Sequence, residues 1–167
     1  MSGMAEPLNQ ALFNPLDVME QIANAHDWLF DRPNNQEMAV EISGRWCDYR
    51  VYVTWHDELR ALQFACAFDT RLPETERVRM NELLALINEK ISIGHFDLSS
   101  GEGLPIYRHA IPMRGVPGAS VEQVEDMVDI ALAECDRFYP AFQLVAWGGR
   151  APGEAMTAVM LEPVGEA

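Results

Sequence analysis

The chain has few of the residues that build metal sites, disulfide frameworks and nucleophilic centres. Its 167 residues include three cysteines, an odd number with no Cys-x-x-Cys pair, so neither a disulfide framework nor a zinc ribbon is indicated. Cys47, Cys66 and Cys135 fall on the apolar sides of predicted elements, as small buried hydrophobic residues do. The four histidines form no His-x-His or His-Glu-x-x-His motif. We therefore expect no metal and no cofactor.

Long apolar runs are also missing. No run approaches the roughly 18 residues that a membrane-spanning helix needs. The N-terminal "MSGMAEPLNQ" has no Lys or Arg and no apolar segment, which does not fit a signal peptide. These observations predict a cytoplasmic protein without membrane insertion.

Basic residues are scarce relative to acidic ones. There are 12 Lys and Arg residues against 26 Asp and Glu residues, so the net charge is −14. Such a field repels phosphate backbones, and no nucleic-acid binding is expected. The acidity has two readings that the sequence leaves open, namely solubility and a docking surface for a basic partner.

Catalytic signatures are absent as well. The glycine-rich turns "GEG" and "GVPG" match neither a P-loop nor a dinucleotide fingerprint, and no serine sits in Gly-x-Ser-x-Gly. One acid–base or metal candidate remains: His95, Asp97 and His109 could meet across the last predicted hairpin. A solvated hairpin surface is the competing interpretation, and we predict that the protein is not an enzyme.

Apolar residues make up 49% of the chain, enough for one sizeable core. Helical spacing covers residues 14–30, with Asn14 as N-cap, Pro15 at the first position and Leu29 on the buried side. Alternation over 37–43, 46–55 and 61–69 predicts three strands of an antiparallel meander. A second helix follows over 72–92.

The segment "ISIGHFDL" is the turn from this second helix into a strand. Phe96 and Leu98 share the core-facing phase, so His95 and Asp97 face solvent, and Gly94 permits the change of direction. Another strand returns after the Gly101–Gly103 turn. Ser120 then begins the longest helix with a capping box, and Pro140 should kink or end it. The element order is α-β-β-β-α-β-β-α.

Three units follow from these patterns: an N-terminal arm over 1–13, a single α+β domain over 14–149, and a flexible C-terminal tail over 150–167. The segment "AMTAVMLEP" could add a short element within the tail. Within the domain, aromatic residues occupy both strand phases. Trp46, Arg50 and Tyr52 share the phase opposite the buried one. If no helix covers that side, they form a partner-binding face; packing against the last helix is the alternative.

The arrangement resembles the YbjN-like family of bacterial sensory transduction regulators, over roughly residues 14–148. The segments that carry the resemblance are "VMEQIANAHDW", "WCDYRVYVTWHDELRALQFACAFD", "LLALINEKISIGHFDL", "GEGLPIYRHAIPM" and "VDIALAECDRFYPAF". The family is similar in fold to type III secretion chaperones. The resemblance implies an antiparallel sheet of about five strands with helices on one side, homodimers and action through protein–protein contact. It carries no catalytic residues.

The leading prediction is a non-enzymatic interaction module, chaperone-like or a regulatory adaptor in bacterial signalling or stress response. Its exposed sheet face or helix groove would hold an extended or helical segment of a partner. The alternative is a small-ligand sensor with a pocket between sheet and helices, using polar groups such as Arg50, His95 or Arg108.

Overall fold

The structure is a computed structural model, which describes residues 14–161. Over that range the chain forms four α-helices, a six-stranded antiparallel sheet and a short 3-10 turn at Glu74–Glu76. The helices are α1 (Pro15–Ala25), α2 (Arg77–Asn88), α3 (Val121–Ala146) and α4 (Pro152–Leu161). The strands are β1 (Phe30–Asp31), β2 (Glu37–Ser43), β3 (Asp48–His56), β4 (Ala61–Ala67), β5 (His95–Leu98) and β6 (Pro105–Pro112).

The predicted α+β class and the helices on one side of the sheet are confirmed, and the strand count is six rather than five. The strand order is β1-β2-β3-β4-β6-β5. Every pairing is antiparallel. The added strand, β1, has two residues and pairs with Val40 and Ala39 of β2; so short a run shows no alternation in the sequence.

The core lies between one sheet face and the helices. Alternate strand residues point into it, and the larger ones are Met38, Val40, Ile42, Tyr49, Val51, Trp55, Leu62, Phe64, Phe96 and Tyr107. Helix α1 contacts β2 and β3, α2 contacts β5, and α3 contacts β4 and β6. The predicted stripe of α2 is buried at Met80, Leu83, Leu84 and Ile87.

Helix α1 is shorter than predicted. It ends at Ala25, because Asp27 adopts a left-handed backbone with φ 56°. The Trp28 N–H then donates to the Ala23 carbonyl at 2.9 Å, a hydrogen bond that closes a helix terminus. Leu29, predicted on the buried side of this helix, is 74% exposed beyond it. The sequence pattern did not indicate this helix end, because an aspartate takes the conformation that glycine usually adopts there.

Helix α3 begins as predicted, with both hydrogen bonds of the Ser120–Gln123 capping box. It does not end at Pro140. It continues to Ala146, and its last turns bury Ala141, Phe142 and Val145. Burial of these side chains outweighs the backbone hydrogen bond that the proline removes.

The predicted flexible tail over 150–167 is wrong where α4 stands. This helix packs on α2 and α3, and it buries Ala155, Met156 and Val159. The packed domain therefore extends beyond residue 149 to Leu161. Residues 162–167 and the predicted N-terminal arm, 1–13, lie outside the described range.

Candidate protein-interaction face

The sheet surface opposite the helices carries the side chains that alternate with the core positions. We call this surface the open face. Opposed residues of an antiparallel pair point to the same side of the sheet. The register therefore builds one row that crosses all six strands: Asp31, Ala39, Tyr52, Ala65, Arg108 and His95. A second row contains Glu41, Arg50, Ala67, Ile106 and Asp97.

Tyr52 is the large apolar residue of the first row. It is 43% exposed, and its direct cross-strand neighbours are Ala39 and Ala65. The Arg50 guanidinium lies 5.7 Å from the centre of its ring, close enough for a cation–π contact. Two of the three predicted face residues, Arg50 and Tyr52, are thus brought together on an uncovered sheet surface.

Two ion pairs stand on either side of the face. Arg50 Nη1 lies 3.9 Å from Glu41 Oε1, and Arg108 Nε lies 3.8 Å from Asp97 Oδ2. Both distances are long, and three of the four side chains are more than half exposed. Pairs of this kind contribute little to stability in water. Their carboxylates therefore remain available to another cation.

Trp46, the third predicted face residue, lies elsewhere. It belongs to the β2–β3 turn, and its indole Nε1–H donates to the backbone carbonyl of Asp136 on α3 at 3.0 Å. That carbonyl is free because residue 140, four positions later, is a proline without an N–H. The strand phase placed Trp46 beside Tyr52, but β3 begins only at Asp48.

The Asp136 carboxylate completes this attachment. Its Oδ1 accepts a hydrogen bond from the Tyr49 hydroxyl at 2.6 Å and another from the Arg45 N–H at 2.9 Å. Burial and this hydrogen bond both raise the pKa of Tyr49 far above its ordinary value, so its hydroxyl remains a donor. One residue of α3 therefore holds the tip of the β2–β3 hairpin.

Side chains cap part of each lateral side of the sheet. On the β5 side, the Asn88 amide donates to the Phe96 carbonyl at 3.1 Å and accepts from the Phe96 N–H at 2.8 Å. The Leu98 N–H is taken by Asp97 Oδ1 at 2.8 Å. On the β2 side, Asn34 Oδ1 accepts from the N–H groups of Gln36 and Glu37 at 2.7 and 2.9 Å.

The candidate acid–base or metal trio is not assembled. His95 pairs with Arg108 on the open face, and Asp97 shares that face. His109 pairs with Phe64 and so points to the helix side. Burial there lowers its pKa. Across residues 14–161 no group of three or more His, Cys, Asp or Glu side chains is placed to hold a metal ion.

Cys66 and Cys135 are buried, as predicted from their apolar positions, and Cys47 is half-buried. Burial raises the pKa of the Cys47 thiol to about 12, so its reactive thiolate is rare at neutral pH.

Two surface depressions border the β1–β2 edge. One, of about 210 Å³, is lined by Leu29, Phe30, Asp31, Ala39, Glu41 and Arg50. The other, of about 300 Å³, is lined by Asp27, Trp28, Leu29, Glu41, Ile42, Ser43 and Asp48. The first depression places Arg50 beside the carboxylates of Asp31 and Glu41. His95 and Arg108, the other polar groups considered for a ligand pocket, line neither depression.

The residue-based prediction missed the small side chains of the open face. Ala61, Ala65 and Ala67 alternate with the buried Leu62, Phe64 and Cys66 of β4. That phase was visible in the sequence. Its meaning was not, because alanine is common in cores as well as on surfaces. Only the register sets Ala65 next to Tyr52.

No helix among the described residues is long and apolar enough to cross a membrane.

Comparison with known proteins gives a consistent result. A family model, YbjN, described as "Putative bacterial sensory transduction regulator", matches residues 15–144. The fold is similar to a crystal structure of YbjN from E. coli, a protein described as "a putative transcription regulator". The identity is 13% and the TM-score 0.52, over 72% of this chain and 85% of that one. No curated protein matches the chain. Because the family match spans most of the domain and the same fold recurs, the chain belongs to the YbjN family.

Proposed function

We propose that the protein is a non-enzymatic interaction module, chaperone-like or a regulatory adaptor, that binds a partner protein on its open face. The observation that carries this proposal is a six-stranded sheet covered by helices on one face and left bare on the other, with Tyr52 in the middle of the bare face. An exposed aromatic side chain on a flat surface is a frequent contact point in protein interfaces. The family description as a regulator supports a role of this class.

Two features support Arg50 and Tyr52 as contact residues. They lie next to each other across the face, and arginine and tyrosine are enriched among the residues that dominate binding energy. Trp46 contributes in a different way under this proposal, because its N–H is occupied by the Asp136 carbonyl. It holds the hairpin that carries the start of β3.

The test is capture of partners from the native lysate after mild crosslinking, with mass spectrometry. Tyr52→Ala is compared with Trp147→Ala, a matched loss of an exposed aromatic at the end of α3. We expect one dominant partner that Tyr52→Ala loses and Trp147→Ala keeps. Recovery of the chain alone, or a partner that both variants keep, would contradict the proposal.

A small-ligand sensor is the second candidate, and the 210 Å³ depression beside Arg50 favours it. That volume is below the range typical of pockets for drug-sized ligands. A metabolite that raises the melting temperature of the parent and not of Arg50→Ala would support this candidate.

The homodimer and the cytoplasmic location implied by the resemblance and the composition are also part of the proposal. Sedimentation velocity tests the first, with a dimer expected at micromolar concentration, and fractionation of the native cells tests the second.

A further inference from the structure

The capped edges bear on how a partner can bind. An extended peptide adds to a sheet by pairing with free N–H and C=O groups of an edge strand. In β5 the N–H and C=O of Phe96 point away from β6, and both are bonded to the Asn88 side chain. The N–H of Leu98 points the same way and is bonded to the Asp97 side chain. At the start of β2 the outward N–H of Glu37 is bonded to Asn34, and further along β2 pairs with the two-residue β1. Short, partly capped edges oppose strand addition, and this favours docking on the open face.

The open face is shallow around its aromatic residue. Ala39 and Ala65 flank Tyr52 in the same row. Ala61 and Ala110 also lie on this face, but Gln63 stands between Ala61 and Ala65 along β4 and directly opposite Ala110. We call Tyr52 with Ala39 and Ala65 the alanine trough. Two packed sheets stand about 10 Å apart and fill the space with interlocking side chains. If a second copy packed its sheet here, alanines would face alanines and that space would stay empty. A row of side chains along a helix can enter a trough of small residues.

The charges bordering the trough indicate the chemistry of the occupant. Asp31 and Glu41 lie on the β1–β2 side and Asp97 lies on β5, outside Arg50 and Arg108. The ion pairs of Glu41 and Asp97 are long and exposed. The whole chain carries a net charge of −14. A second copy docked through this face would bring the same carboxylates against one another, so the proposed homodimer would use another surface. A cationic partner would be attracted and steered to the face.

We propose that the open face binds an amphipathic α-helix of another protein, with the helix's apolar stripe in the alanine trough and Lys or Arg side chains against the flanking carboxylates. The inference rests on the proposed function and adds to it the secondary structure and the charge of the partner segment.

The probe is a synthetic helical peptide of leucine and lysine, about 18 residues and so about 27 Å long, which matches the length of the longest strand. A leucine–glutamate peptide of the same pattern and a scrambled leucine–lysine peptide are its controls. Fluorescence anisotropy at low and physiological salt measures the affinities. We expect the leucine–lysine helix to bind and both controls to bind at least about tenfold more weakly.

Ala65→Glu is the decisive variant. The glutamate side chain fills the trough, so binding that depends on packing should weaken. It also adds negative charge, so binding that depends only on electrostatic attraction should strengthen. Ala133→Glu, an exposed alanine of α3, is the matched control for charge alone. We expect Ala65→Glu to weaken binding of the leucine–lysine helix at least about tenfold, Ala133→Glu to leave it unchanged, and Tyr52→Ala to weaken it with no added charge.

Tighter binding by Ala65→Glu would overturn the proposal, because the peptide would then be following the acidic field alone. Equal binding of the leucine–glutamate helix, or no binding of any peptide, would also overturn it. So would a dimer of the parent that Ala65→Glu dissociates, since the occupant would be a second copy. If the peptides fail while a lysate partner is still lost with Tyr52→Ala, this inference fails and the proposed function stands. Circular dichroism of each variant shows that it is folded.

Discussion

At the residue scale, Gly94 shows how one position serves the turn from α2 into β5. Its φ is +77°, a left-handed backbone that side chains with a Cβ adopt at a cost. A Cβ at this position would overlap the Tyr107 hydroxyl and lie 2.7 Å from the Arg108 carbonyl oxygen. Tyr107 in turn donates its hydroxyl to the Ile93 carbonyl at 2.5 Å. The glycine is required both by its dihedral angle and by close packing.

We therefore expect Gly94→Val to destabilise the protein by about 3 kcal/mol or more, since backbone strain and overpacking add. Gly115 is the matched control: its φ is +86°, but a Cβ there would meet no atom within 4 Å. Gly115→Val should cost only the backbone strain, about 1 kcal/mol. Urea unfolding measures both. Equal losses would show that the contact with Tyr107 does not matter.

Glu134 makes the stability of the protein depend on pH. Burial raises the pKa of its carboxyl above the ordinary value, and Arg137 Nη1, 3.7 Å away, only partly opposes this. A raised pKa means that the folded state prefers the protonated acid. The contribution of this group to stability is full below the unfolded pKa, about 4.3, and is lost as the pH rises through the folded pKa.

Glu134→Gln should consequently be more stable than the parent at pH 7, with the difference disappearing below about pH 4. Urea unfolding at several pH values measures the two curves. A variant less stable than the parent at pH 7 would show that the ion pair with Arg137 outweighs the desolvation of the carboxylate.

At the element scale, the β2–β3 hairpin and α3 depend on each other through Pro140. The proline leaves the Asp136 carbonyl without its helical partner, and the Trp46 indole N–H takes that place. Trp46→Phe keeps an aromatic ring but removes the donor. We expect a loss of about 1 kcal/mol, the net contribution of one hydrogen bond.

In a Pro140→Ala background the Asp136 carbonyl regains a helical N–H donor. The same Trp46→Phe change should then cost clearly less, and a double-mutant cycle from urea unfolding gives the coupling. An equal cost in both backgrounds would mean that packing of the indole, and not its hydrogen bond, holds the hairpin to α3.

At the scale of the whole molecule, α4 extends the domain past the residues that match the family model. Met156 is buried in this helix, which packs on α2 and α3. Met160, four residues later, is 43% exposed, and its sulfur lies 3.5 Å from Arg137 Nη2. Met156→Ala should destabilise the protein by about 2–3 kcal/mol, as cavity-forming changes do. Met160→Ala should change stability by about 0.5 kcal/mol or less.

Thermal and urea unfolding of these two variants decide whether α4 is part of the core in solution. Small and equal effects would contradict the packed helix and restore the flexible tail that composition predicts. The composition of residues 150–161 favoured a flexible tail over the short element that "AMTAVMLEP" offered, because alanine, glycine, proline and glutamate are common in mobile segments.

The sequence by itself determined the elements whose signal is local. Alternation identified β2, β3, β4 and the β5–β6 pair, spacing identified α2 and α3, and Ser120 with Gln123 identified the start of α3. Each of these patterns is readable because it arises within a few residues of backbone geometry. The placement of Tyr52 and Arg50 on one strand face followed from the same alternation, which left open whether a helix covers that face.

Tertiary structure alone decided what depends on distant partners. Helix α3 continues through Pro140 because its last turns pack into the core and a tryptophan ninety positions away along the chain bonds the carbonyl that the proline leaves free. His109 lies apart from His95 and Asp97 because the β4–β6 register turns it to the helix side. The open face exists because α1, α2 and α3 pack on the other surface of the sheet and α4 packs against α2 and α3. An alternating strand pattern indicates the buried side but does not show whether the opposite side is covered as well.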